Sequence, residues 1–148
     1  MYNIILVPLD GSKRSEMVLP HAESLAIHYK AKIVLITVNE IMFNSGVVDA
    51  FSPMAFWEQH EETEKKSETY LQGLTREFHT KDIQCEYRLE RGRPVETILK
   101  IAADLKADLV AMASHGKGGL ARVFYGSVAS GIVNRIDRPL LVIRSRNV

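Results

Sequence analysis

The chain has 148 residues, 46% apolar and 25% charged, which fits one soluble globular domain with its own core and excludes disordered or collagen-like classes. With 19 basic against 18 acidic side chains its formal charge is +1, so no global field favours duplex nucleic acid or an anionic membrane, and neither is an expected partner. The single cysteine, Cys85, admits no intrachain disulfide and no cysteine-based zinc spacing, and it fits a reducing cytoplasm.

Residues 3–8 form an apolar run that predicts a buried strand. No basic stretch precedes it, and Pro8 and Asp10 interrupt any signal-peptide core, so no secretory leader is expected. Nor does any apolar run approach the ~20 residues of a membrane-spanning helix. Ser12 is placed to cap a helix bearing Val18, Ala22, Leu25, Ala26 and Tyr29 at the 3.6-residue period, and Pro20 inside it predicts a kink. Residues 33–38, rich in β-branched side chains, predict a second buried strand.

From 39 to 57 the periodicity fails, although Phe43, Val47, Phe51, Met54, Phe56 and Trp57 make the segment apolar for a connection. Two roles fit it: a cover for the core or a partner surface, and a lid over a ligand. Glu58 to about Phe78 predicts a polar-fronted helix with a stripe of Tyr70, Leu71, Leu74 and Phe78. Residues 83–89 alternate Ile83, Cys85, Tyr87 and Leu89 with polar neighbours, the pattern of a strand near a sheet edge.

Gly92 permits a turn, and Pro94 opens a helix carrying Val95, Ile98, Leu99, Ala102 and Leu105. A strand buried on both faces is expected at 107–113. Ser127 then begins a helix with Val128, Ile132, Val133 and Ile136, and Pro139 precedes a final strand at 140–143. This alternation predicts a parallel sheet covered on both faces, with no repeat, linker or second domain.

Between Ala113 and Ser127 lies a glycine-bearing loop that leaves an apolar strand and enters a helix. Glycines let the main chain approach an anion, and a helix start supplies free N–H donors and the positive dipole end. In a doubly wound sheet this loop, the segment after the first strand with Asp10, and Val38 after the second should converge on one crevice. Asp10 has the acceptors for ribose hydroxyls or a base amino group, its plainer role being a helix cap or loop acceptor. Val38 offers a purine an apolar face, and Gly116, Gly126 and Ser127 suit phosphates. Lys117 and Arg122 add cations, with solvated surface charge as the alternative. His115 suits a phosphate contact or an ordinary loop hydrogen bond.

Other chemistries have less behind them. His21, His28, His60 and His79 share no metal-ligand spacing, Cys85 reads as buried packing, and the full P-loop pattern is absent. A phosphorelay receiver needs an acidic cluster after the first strand and an Asp after the third. Asp10 stands alone, and Leu89-Glu90-Arg91 offers none.

Gly116, nine residues, then Gly126-Ser127 resembles the ATP-binding signature of the universal stress protein family. The opening Val7-Pro8-Leu9-Asp10-Gly11-Ser12, Ser114-His115-Gly116, Ser127-Val128-Ala129 and Pro139-Leu140-Leu141-Val142-Ile143 extend the likeness over the whole chain. The resemblance implies Pro8, Leu9, Asp10 and Val38 around adenosine, and Met112, Ala113, His115, Gly116, Gly126, Ser127 and Val128 along the ribose and phosphates. It further implies ATP or a related adenine nucleotide, with any Mg²⁺ held mainly by the phosphates, and a homodimer joined through the last strand. The expected fold is a single Rossmann-like domain, a doubly wound five-stranded parallel sheet of order 3-2-1-4-5. The expected role is a cytoplasmic stress-response sensor or regulator rather than a dedicated enzyme, its protein client unreadable. A nucleotide-free dimeric factor and a slow ATP hydrolase are the alternatives. One departure stands out: Ala113 occupies the signature's first glycine position, which alanine tolerates at negative φ and obstructs at positive φ.

Overall fold

The computed structural model describes residues 1–40, 53–116 and 126–145. Its strands are β1 (Ile4–Pro8), β2 (Lys32–Asn39), β3 (Cys85–Arg91), β4 (Leu109–Ala113) and β5 (Leu140–Ile143), alternating with helices α1 (Leu19–Tyr29), α2 (Pro53–Thr80), α3 (Pro94–Asp104) and α4 (Ser127–Arg135). All pairings are parallel, in the expected order β3-β2-β1-β4-β5.

The two-residue period of a strand sorts the apolar runs onto two faces. Ile5, Val7, Ile33, Leu35, Leu109 and Ala111 pack with Val18 and residues of α1 and α2 such as Ala22, Ala26, Leu71 and Phe78. Leu6, Val34, Ile36, Val110 and Met112 pack on the other face with Ile98, Ile101 and Ala102 of α3 and Ala129 and Ile132 of α4. Because the three central strands are covered on both sides, they read as continuous apolar sequence, while β3, at an edge, keeps its alternation. The chain steps outward from β1 to β3, then returns through α3 to place β4 on the other side of β1. That reversal makes the β1/β4 boundary the switch point of the sheet.

Two local expectations are corrected. Ser15–Val18 forms a 3-10 turn and α1 begins at Leu19, so Pro20 sits in the first helical turn, where its missing N–H breaks no helical bond. The proline starts the helix instead of kinking it. Ser12 accordingly serves the 3-10 turn, its Oγ accepting from the Ser15 N–H at 3.2 Å. The second correction is that α2 starts at Pro53, ahead of Glu58, so Met54, Phe56 and Trp57 are helical. Residues 41–52, and with them the cover or lid role, lie outside the described residues. Pro94 does open α3, and Gly92 takes a φ of 138°, which only glycine adopts readily.

The contact between α3 and α4 is close at Gly131, where a Cβ would stand 2.6 Å from Val95 Cγ2. Gly131→Ala gains about 0.5–1 kcal/mol of helix propensity, but overpacking against a stiff β-branched side chain costs about 1–3 kcal/mol. The expected outcome is a lowered urea midpoint in the native background and a raised one in a Val95→Ala background. The sign reversal in the double-mutant cycle identifies the contact.

Candidate functional site

β1 and β4 are sheet neighbours, and the described parts of the segments that leave them, residues 9–15 and 114–116, come together at the crevice expected there. Past Pro8 the first loop remains tied to β2: Leu9 N–H donates to Ile36 O at 2.8 Å, and Thr37 Oγ1 donates to Leu9 O at 2.9 Å. Asp10 then folds the chain over its own carboxylate, with Oδ1 accepting from Ser12 N–H at 2.9 Å and Ser12 Oγ at 2.5 Å. Gly11, at φ 84°, supplies the left-handed residue this turn needs. The plain role of a strand-end Asp, a loop acceptor, is therefore filled by Oδ1. Oδ2 lies toward the second loop, where a Cβ on Gly116 would stand only 1.9 Å from it.

The second loop is anchored to β5 and closes onto α4. Ser114 N–H donates to Ile143 O at 2.8 Å, Gly126 N–H donates to Ser114 O at 2.8 Å, and Ser130 N–H donates to Gly126 O at 2.9 Å, closing the first turn of α4. Gly126 is extended (φ −66°, ψ 167°) and supplies no side-chain cap, so the first N–H groups of α4 carry the positive end of its dipole. A Cβ there would meet Ser114 O at 3.3 Å. Close approach, not left-handed backbone, is thus what Gly116 and Gly126 provide. Ala113 lies inside β4, paired with Ile143, and has no positive φ, so an alanine is accommodated at that position.

Asp10 and Gly116 are in contact and His115 borders Gly126. Pro8, Leu9, Met112 and Ala113 are buried at the strand ends. The Leu9 side chain belongs to the core under α1 and α2, and that of Met112 to the core under α3 and α4, where Val38 and Val128 pack half-buried. Ser127 is exposed at the first position of α4. Lys117 and Arg122 lie outside the described residues.

Two residues that the sequence reading assigned no role, Ser114 and Ser145, prove central to this loop. Ser145 N–H donates to Ser114 Oγ at 3.1 Å, His115 N–H donates to Ser145 Oγ at 3.1 Å, and Ser114 Oγ lies 2.9 Å from His115 Nδ1. All three residues are buried. The available signal was a small polar side chain just past a terminal apolar strand, which by itself reads as loop.

Cys85 sits in the core, its Sγ 4.0 Å from Thr75 Oγ1, and burial pushes the thiol up to about 11. Among the described residues no group of three or more His, Cys, Asp or Glu side chains could hold a metal ion, and no helix is long and apolar enough to cross a membrane.

Sheet order and strand-end contacts define a doubly wound parallel α/β protein whose described segments meet at the β1/β4 switch point, where α4 starts at a glycine that supplies no side-chain cap. The chain belongs to the universal stress protein family, whose family model matches residues 1–144. It is 25% identical to universal stress protein MJ0577 of Methanocaldococcus jannaschii over 99% of this chain and 98% of that protein. The solved structure of hypothetical protein MJ0577 superposes with a TM-score of 0.88 at 24% identity, covering 100% of this chain and 99% of its own. A universal stress protein in complex with cAMP shares the fold at TM-score 0.71 and 20% identity, covering 97% of this chain and 98% of its own. A family member from Arabidopsis thaliana with AMP bound does so at 0.64 and 18%, covering 99% and 93%.

The raised Cys85 pKa fixes a pH dependence. The unfolded thiol ionises near 9 while the folded one resists, so its contribution to stability is present below about 9 and is lost as the pH rises through about 11. At about pH 8 an aromatic disulfide reagent is expected to label the native protein far more slowly than the denatured chain. Equal labelling rates would contradict the buried thiol.

Proposed function

We propose that the chain binds an adenine nucleotide, ATP foremost, across the β1/β4 crevice and that occupancy serves as its signal in a cytoplasmic stress response. The observation that carries this reading is the contact of Asp10 Oδ2 with the bare Cα of Gly116, beside Gly126 at the uncapped start of α4. That contact sets the Asp10 carboxylate close to the start of α4, which fits a ligand that offers hydroxyl or amino donors at one end and brings negative charge to a helix N-terminus at the other. The cAMP-bound and AMP-bound relatives support the adenine class.

In this reading Asp10, an acceptor-only carboxylate, takes ribose hydroxyls or a base amino group, with Pro8, Leu9 and Val38 forming the adenosine side. Met112, Ala113, His115, Gly116, Gly126, Ser127 and Val128 line the ribose and phosphate side. Mg²⁺, where present, is held mainly by the phosphates. The role is sensing or regulation rather than dedicated catalysis, and nucleotide occupancy acts by shifting a conformational population.

The test is to purify the protein natively, denature it, identify any released nucleotide by mass spectrometry, and titrate the emptied protein with ATP by calorimetry. Asp10→Ala is expected to weaken ATP roughly tenfold or more, from loss of a charged hydrogen-bonding group worth about 1.5–3 kcal/mol, with a smaller effect on the unfolding midpoint. Gly126→Val, whose side chain enters a space already closed at 3.3 Å, should abolish the ATP heat while the circular dichroism spectrum stays native. Unaltered ATP titrations in both variants, or no nucleotide in either assay, would sink the reading.

The same proposal includes a homodimer joined through β5. This strand is a sheet edge with half-buried side chains. Val110 N–H donates to Pro139 O and Ser114 N–H to Ile143 O, so by the period of two the main-chain groups of Val142 face the open edge. Val142→Pro removes that outward N–H without touching the β4 ladder. Sedimentation velocity is expected to show a dimer for the native chain and a monomer for the variant.

A further inference from the structure

We infer that Ser114 and Ser145 lock the tautomer of His115, holding its proton on Nε2 so that the ring presents an N–H donor to an acceptor-only anionic group docked beside Gly126. The inference rests on the nucleotide reading and deepens it by assigning how the phosphate side is recognised.

The hydrogen-bond accounting admits that tautomer, and the surroundings of the ring favour it. Two main-chain donors are fixed: Ser145 N–H to Ser114 Oγ and His115 N–H to Ser145 Oγ, both at 3.1 Å. Each hydroxyl then has one proton left to place. For Ser114 the choices are His115 Nδ1 at 2.9 Å and Ser145 Oγ at 3.3 Å. Ser114 Oγ can donate to Nδ1, or accept from an Nδ1–H and donate to Ser145 Oγ; we assign the first arrangement because it leaves an N–H on the ring edge that borders the start of α4. Ser145 can in turn donate to Ser114 Oγ or to His115 O at 3.4 Å. With Nδ1 acting as acceptor, the neutral ring carries its proton on Nε2.

Nε2 has no hydrogen-bond partner among the described residues, although His115 is only 7% exposed. Buried polar atoms are rarely left so, because desolvation without a partner is unfavourable. The ring atom next to it, Cδ2, lies 3.8 Å from where a Cβ of Gly126 would stand, so this edge of the imidazole borders the start of α4. A phosphate oxygen received by the α4 N–H groups has acceptors only, and an Nε2–H donor complements it. The opposite tautomer would turn a lone pair toward that anion.

The proton position is read from long-range ¹⁵N–¹H spectra of ¹⁵N-histidine protein at about pH 8, where an ordinary imidazole is neutral. The native chain should show Nε2–H for His115. Its Nε2 resonance should move on adding ATP or inorganic tripolyphosphate and hold still with adenosine. Ser114→Ala, nearly isosteric, should give a tautomer mixture and weaken ATP about tenfold while weakening adenosine less. An Nδ1–H ring in the native chain overturns the inference, as does a Ser114→Ala protein that keeps Nε2–H and loses ATP and adenosine affinity equally. If calorimetry shows no ATP binding but tripolyphosphate still moves Nε2, the adenine reading falls and the anion donor stands. A ring silent toward both probes overturns the donor.

Discussion

A carboxylate oxygen of Asp10 occupies the space that a side chain at position 116 would need, and the segments that leave β1 and β4 meet at that contact. It exists because β1 and β4, distant in sequence, are sheet neighbours paired through Ile5↔Leu109 and Leu6↔Val110. Any residue larger than glycine at 116 would have to displace Asp10. Asp10 also holds Ser12, whose Oγ accepts from Ser15 N–H at the head of the 3-10 turn that leads into α1. One missing Cβ thus links the ends of β1 and β4 to the segment that leads into the first helix.

How far the sequence reveals this depends on which physical signal each element carries. The central strands are legible because burial on both faces demands unbroken apolar runs, and β3 because one wetter face restores alternation. Pro94 is legible because its only comfortable helical place is the first turn. Pro20 obeys the same rule but misleads, since the 3-10 turn before it carries Val18 in phase with α1 and makes the helix look longer than it is. The early start of α2 is obscured by Met54, Phe56 and Trp57, whose exposed or half-exposed rings and thioether form no buried stripe.

At the site, Gly116, Gly126 and Asp10 can be picked out because their chemistry is local: a glycine marks space and a strand-end carboxylate marks a turn. The reason Ala113 is tolerated is not readable locally, since it depends on whether β4 extends to that position. Ser114 and Ser145 are less legible still. Their meaning is a contact between two strand ends brought together by the β4/β5 pairing, and neither residue type announces it.

The two halves of the crevice are braced from different parts of the sheet. On the Asp10 side, β2 holds the loop through Thr37, and α2 holds it through the Tyr70 hydroxyl, which donates to Glu16 Oε1 at 2.7 Å. Burial first, and then that bond to a carboxylate, keep the Tyr70 phenol protonated well above its ordinary range, so the brace survives any physiological pH. On the His115 side, the braces come from β5 through Ile143 and Ser145. Ordering a free loop costs about 1–2 kcal/mol per residue in backbone entropy alone, and these braces meet that cost during folding rather than at ligand binding.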